Sequence, residues 1–132
     1  MTNELLIAIE FARSDWGKQA LNLAKSLPGV KAQQWADNLA EKGQLAVKSA
    51  PDIIVIDDNP GSDSLFSRVR TIRLNFPQAA LFVVSSNQDP QQIINAMKAG
   101  VAEYLVEPVS DSVFQNAIED VRARLTNEGK LA

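Results

Sequence analysis

The sequence predicts one α/β domain in which helices cover both faces of a five-stranded parallel sheet. Short apolar runs alternate along the chain with segments whose apolar residues recur at helical spacing. The run Ile53–Ile56 is apolar at every position, which is typical of a strand buried on both faces of a parallel sheet. A length of 132 residues is sufficient for one domain with a sizeable core.

The first half of the chain predicts three strands and two helices. Leu5–Ile9 is an apolar run that predicts the first strand. The first helix follows from apolar residues that lie mostly three and four apart: Trp16, Ala20, Leu23, Ala24 and Leu27. Val30–Trp35 predicts a second, weaker strand. Asp37 is a suitable N-cap for a second helix that ends before Pro51, after which Ile53–Ile56 forms the third strand.

The second half predicts three further helices and two strands. The third helix carries an apolar stripe of Leu65, Val69, Ile72 and Phe76. Ala80–Val84 predicts the fourth strand, and Asp89 with Pro90 predicts the start of the fourth helix, which Gly100 ends. Tyr104–Val106 predicts a short fifth strand. The last helix has the apolar residues Phe114, Ala117, Ile118, Val121 and Leu125.

Composition excludes several classes of function. Thirteen basic and sixteen acidic side chains give a net charge of −3, which argues against a nucleic-acid-binding surface. The chain has no cysteine and no histidine, which excludes thiolate sites, serine–histidine triads and the commonest zinc sites. No apolar stretch approaches the roughly 20 residues that span a bilayer. We therefore expect a cytoplasmic domain with no membrane span and no nucleic-acid partner.

The carboxylates after the third strand are the first candidate functional residues. Ligand chemistry in open α/β sheets lies beyond the carboxyl ends of the strands, where Asp57 emerges. Because successive strand side chains alternate, Asp58 is predicted to point away from that site. The three arginines of the third helix are predicted to form a solvated face: Arg68, Arg70 and Arg73.

In order and spacing, these features resemble the receiver domain of bacterial response regulators. The matching pieces are Pro51–Asp57 at the third strand, Ser85 ending the fourth strand, Gly100, and Tyr104–Pro108 at the fifth strand. The resemblance covers residues 1–125, and residues 126–132 are expected to be a flexible tail or the start of a linker. It implies the flavodoxin-like (βα)5 fold with strand order 2-1-3-4-5.

The resemblance also implies roles for individual residues. Asp57 matches the carboxylate that accepts a phosphoryl group in that family. Ser85 and Tyr104 match the residues that respond to it, the hydroxyl by bonding a phosphoryl oxygen and the aromatic ring by changing rotamer. If Mg²⁺ binds, the implied ligands are Glu10, Asp57 and Asn59.

Glu107 is where the sequence departs from the family pattern. Receivers carry a lysine immediately before the proline, whereas here Glu107 joins Glu10 and Asp57 in a predicted acidic pocket. A unit-charge pair at about 4 Å and an effective dielectric near 20 is worth roughly 4 kcal/mol, so a phosphorylated state is expected to be disfavoured. A lysine or arginine from elsewhere, with Glu107 turned outward, would remove that argument.

The segment Gly100–Val109 is also similar to the atypical receiver at the N-terminus of TadZ/CpaE-type pilus assembly proteins. The chain has no G-x-x-x-x-G-K-[ST] loop, so an ATPase would lie outside it. We expect a non-enzymatic interaction domain with no catalytic residues and no cofactor. Its predicted binding surface comprises Gln91–Ala99, Tyr104–Val106 and Ser110–Leu125, which receivers often use for pairing, so a homodimer is one expected arrangement.

Two alternatives stay open on the sequence. One is a working receiver that is phosphorylated on Asp57 with Mg²⁺ as cofactor. The other is an enzyme or small-ligand module on a flavodoxin-like sheet, which would need a phosphate-binding loop after the first strand. The segment Phe11–Asp15 offers an arginine and a serine there but no glycine.

Overall fold

The computed structural model describes residues 4–10, 15–34, 51–58 and 65–129, which form five strands and four helices. The strands are β1 (Leu5–Ile9), β2 (Val30–Gln34), β3 (Ile53–Asp57), β4 (Ala80–Ser85) and β5 (Val101–Val106). The helices are α1 (Asp15–Ser26), α2 (Leu65–Asn75), α3 (Pro90–Lys98) and α4 (Asp111–Asn127). The predicted helix after Asp37, and Trp35 before it, lie outside the described residues, so the numbering omits that helix.

All five strands are parallel and lie in the order β2-β1-β3-β4-β5. The sequence predicted the parallel sheet, and the family resemblance implied this strand order. The three inner strands are the apolar runs, and β3 aligns with β4 so that Ile54 lies opposite Leu81. β5 begins at Val101, three residues earlier than predicted, and forms one edge of the sheet.

Alternation along the strands divides the core into two layers. Ile53 and Val55 face α1 and α4, where Trp16 packs edge-to-face on Phe114 with ring centroids 5.3 Å apart. Ile54 and Ile56 face α2 and α3. Every apolar stripe predicted for α2 and α4 is buried in one of these two layers.

The helix ends near β5 follow the local sequence. The Asp89 carboxylate accepts a hydrogen bond from the Gln91 amide at 3.2 Å and caps α3, with Pro90 in the first turn. Gly100 has a φ of +108°, the left-handed region that its place after the helix requires. α4 continues to Asn127, two residues beyond the end that the sequence indicated.

Candidate functional site

The carboxyl ends of four parallel strands bring five polar residues to one rim of the sheet, which we call the acidic edge: Glu10, Asp57, Asp58, Ser85 and Glu107. Backbone hydrogen bonds between neighbouring strands fix their positions. The Glu10 amide donates to the Val55 carbonyl at 2.9 Å, and the Asp58 amide donates to the Val84 carbonyl at 2.8 Å. The Glu107 amide donates to the Ser85 carbonyl at 2.9 Å, and the Glu107–Pro108 peptide is cis.

Arg68 of α2 forms an ion pair with Glu10 within the acidic edge. Its Nη2 donates to Glu10 Oε1, and its Nη1 donates to the main-chain carbonyl of Asp57 at 2.7 Å. Both side chains are largely removed from water, with 6% of Glu10 and 16% of Arg68 exposed. The Asp57 amide also approaches Glu10 Oε1, at 3.5 Å.

The predicted solvated face of arginines is therefore wrong for two of its three members. Arg68 reaches the acidic edge, and Arg73 is half-buried and donates to the Ala79 carbonyl at 2.8 Å. Only Arg70 is exposed. The sequence contained a signal for Arg68, because it lies three residues after Leu65 and therefore within the buried stripe of the helix.

Asp57 lies among charges of both signs. Burial raises its pKa above the ordinary aspartate value, and the carboxylates of Glu107 and Asp58 raise it further, whereas Arg68 acts in the opposite direction. Glu107 is half-buried rather than turned out into solvent, and its charge acts on Asp57. The net effect is an Asp57 carboxyl that holds its proton more tightly than a solvated one.

Ser85 and Tyr104 are linked to Asp58 rather than to Asp57. The Ser85 hydroxyl donates to Asp58 Oδ2 at 2.7 Å, and the Gln92 side chain donates to the same oxygen at 3.0 Å. Gln92 Nε2 also lies 2.7 Å from the Tyr104 hydroxyl, which donates to the Asn87 carbonyl at 2.8 Å. We call these five residues the Asp58 network. Asp58 is thus bonded to Ser85, which the family resemblance had linked to Asp57.

The resemblance implied that Ser85 and Tyr104 respond to Asp57, whereas both lie on the face of the sheet that holds Asp58. Alternation does send Asp57 and Asp58 to opposite faces. Ser85, however, follows Leu81 and Val83, which pack on the same layer as Ile54 and Ile56, and Asp58 continues that layer. Counting residues from the apolar positions of the two strands would have placed Asp58 beside Ser85.

The described residues do not fit the magnesium site that the sequence comparison implied. They hold no group of three or more acidic or histidine side chains arranged to bind a metal ion. The carboxylate of Glu10 and the carbonyl of Asp57 are both bonded to the Arg68 guanidinium. Mg²⁺ requires oxygen ligands in near-octahedral geometry. The Arg68 guanidinium occupies the oxygen atoms that would have to supply that geometry. Asn59, the third implied ligand, lies outside the described residues.

The parallel five-stranded sheet and its strand order are those of the receiver fold. No protein-family profile matches the chain. The transcriptional regulatory protein CitT of Bacillus subtilis (strain 168) is 24% identical over 115 residues, which cover 86% of this chain and 51% of CitT. The chain thus spans about half the length of this curated relative.

Solved structures give the same fold. A pilus assembly protein (cpaE) of Burkholderia thailandensis E264 superposes with a TM-score of 0.76 at 16% identity, covering 90% of this chain and 98% of that one. The receiver domain of an HD domain-containing protein from Pseudomonas fluorescens Pf-5 gives a TM-score of 0.78 at 16% identity, covering 98% and 95%. The chain therefore has the receiver fold, and its structural neighbours include pilus assembly proteins. None of the described helices has the length and apolar character needed to cross a membrane.

Proposed function

We propose that this domain is a receiver-fold interaction module that works without phosphorylation of Asp57. The observation that carries the proposal is the half-buried Glu107 carboxylate, whose charge acts on Asp57. A phosphoryl group would add about 1.5 to 2 negative charges at neutral pH beside that carboxylate. Asp58 adds another negative charge to the same edge, and this repulsion destabilises the phosphorylated state.

The hydrogen bonds of the Ser85 and Tyr104 hydroxyl groups support the same proposal. Ser85 donates to Asp58, and Tyr104 donates to Asn87, so both hydroxyl groups are bonded within the protein before any phosphoryl group arrives. A phosphorylated Asp57 would have to draw the Ser85 hydroxyl away from a charge-assisted bond. The Asp58 network thereby favours one arrangement of β4, α3 and β5.

The proposed binding surface lies around the edge strand β5, with α3 over one of its faces and α4 over the other. Four large apolar side chains are exposed in the described part of the chain, and three of them lie on these helices: Ile94 and Met97 on α3 and Val113 on α4. The fourth, Leu74, is on α2. Exposed apolar residues on neighbouring elements favour a protein partner. We therefore keep the surface expected from the sequence as the proposed binding surface.

We further propose that the domain serves a pilus assembly protein by docking or localising it. The similarity of Gly100–Val109 to TadZ/CpaE-type proteins and the structural neighbour from Burkholderia thailandensis support this assignment. A domain that presents a fixed surface suits a docking role, since docking requires no chemical switch. The proposed domain has no catalytic function of its own and is cytoplasmic.

The test is exposure of the purified protein to acetyl phosphate or beryllofluoride in the presence of Mg²⁺. We expect no gain in intact mass and no change in the amide NMR spectrum. Asp57→Asn serves as the control that lacks the acceptor. A Mg²⁺-dependent mass gain that Asp57→Asn abolishes would overturn the proposal.

The second candidate function is a working receiver that is phosphorylated on Asp57. The contact between Arg68 and the Asp57 carbonyl favours it, because this guanidinium lowers the pKa of Asp57 and places a cation at the acidic edge. Burial and the Glu107 carboxylate raise the pKa of Asp57 by more than Arg68 lowers it. The acetyl phosphate experiment decides between the two functions.

A further inference from the structure

We propose that the guanidinium of Arg68 is the resident cation of the acidic edge and takes the place of a divalent ion. The net charge of the acidic edge would then not depend on the metal concentration. This inference rests on the proposed function, since a receiver that works without phosphorylation needs no exchangeable metal ion. It concerns a residue that the sequence analysis had placed on a solvated face of the third helix.

The acidic edge carries more negative than positive side chains. Four carboxylates meet there, from Glu10, Asp57, Asp58 and Glu107, and two of them belong to adjacent residues. Carboxylates that are partly withdrawn from water require a compensating positive charge. Arg68 supplies it, because its guanidinium is bonded to the Glu10 carboxylate and to the main-chain carbonyl of Asp57.

Arg68 is held in place by helix packing and by two hydrogen bonds. It stands between Leu65 and Val69 of the buried α2 stripe, so its aliphatic stem starts at the packed face of the helix. Its two terminal nitrogens donate to different strands, one to the Glu10 carboxylate after β1 and one to the Asp57 carbonyl at the end of β3. A guanidinium stays protonated at any physiological pH, and its planar geometry suits two directed hydrogen bonds.

Arg68 and a divalent ion would compete for the same oxygen atoms. A divalent ion at this edge would need the Glu10 carboxylate, and that group is the one bonded to Arg68. An incoming cation would have to break two hydrogen bonds and approach a positive charge attached to the protein. Because Arg68 is tethered, its binding loses no translational freedom, whereas a free ion must be recruited from solution.

The experiment measures Mn²⁺ binding through the electron paramagnetic resonance signal of the unbound ion. We expect the wild-type chain to leave millimolar Mn²⁺ free and Arg68→Gln to bind it about tenfold or more tightly. Arg70→Gln is the matched control, because Arg70 is an exposed arginine of the same helix, and it should behave as the wild type. Equal binding by the wild type and Arg68→Gln would overturn the inference.

A measurement on the wild type guards against misfolding of the variant. The Nε–H signal of Arg68 should be unchanged when millimolar MgCl2 replaces NaCl at matched ionic strength. A change in that signal with saturating dependence on Mg²⁺ would show displacement of the guanidinium and overturn the inference. If Arg68→Gln is unfolded without metal and refolds on addition of Mg²⁺, the inference is supported.

The two proposals fail in different ways. Metal binding by the wild type without any response to acetyl phosphate would refute the resident cation and leave the proposed function standing. Phosphorylation of the wild type would refute the proposed function, whatever the Mn²⁺ titration of Arg68→Gln shows.

Discussion

Replacing Glu107 with lysine should lower the pKa of Asp57 and stabilise the domain at neutral pH. Glu107 is, after burial, the largest cause of the raised Asp57 pKa, and the substitution turns this repulsion into an attraction. Both side chains are half-exposed. The repulsion from Glu107, or the attraction to a lysine in its place, is therefore closer to the about 0.2–1 kcal/mol of an exposed pair than to the roughly 4 kcal/mol of an unscreened pair at 4 Å. Reversing the sign therefore changes the interaction by about 0.4–2 kcal/mol and lowers the pKa of Asp57.

The sign of the pH dependence follows from the direction of the shift. Since the folded-state pKa of Asp57 lies above its unfolded value near 3.8, its contribution to stability is fully present below that value. It is lost as the pH rises through the folded-state pKa. Glu107→Lys should reduce this loss, so its free energy of unfolding should exceed that of the wild type at neutral pH.

The assay combines an NMR titration of the Asp57 carboxyl carbon with urea denaturation across the acid range. Glu103→Lys, on the strand that Glu107 follows, makes an equal change in net charge and controls for general electrostatics. The reasoning is refuted if Asp57 titrates at the wild-type pH in Glu107→Lys. It is equally refuted if Glu103→Lys shifts the titration as much.

Three further substitutions test the site and the proposed surface. Arg68→Ala should lower the free energy of unfolding by about 3–5 kcal/mol in urea denaturation because it removes one partner of a buried ion pair, whereas the exposed Arg70→Ala should change it by less than about 0.5 kcal/mol. Ser85→Ala should cost about 1–3 kcal/mol in the same assay, since a buried hydroxyl that donates to a carboxylate is lost, and a neutral result would contradict the Asp58 network. Ile94→Glu should weaken the homodimer that the sequence leads us to expect, as measured by sedimentation, and Leu74→Glu, an exposed position on another helix, should leave it unchanged.

Most of the fold was predictable from local sequence. The all-apolar runs at β1, β3 and β4 required parallel neighbours and two covering layers, because such strands have no polar face to turn to water. The cap at Asp89 and the stop at Gly100 follow from hydrogen bonding and backbone sterics within a few residues. Parallel strand order also placed Asp57 and Glu107 at one rim.

The chain's own sequence determined which residues form strands and helices and which end of the sheet carries the carboxylates. Only the tertiary structure decided how those carboxylates are partnered: Arg68 reaches Glu10 across 58 positions of sequence, and Ser85 reaches Asp58 across 27. The physical reason is range. Apolar periodicity and capping are local properties of the chain, whereas an ion pair depends on where the packing of α2 against the sheet carries the end of a long, flexible side chain.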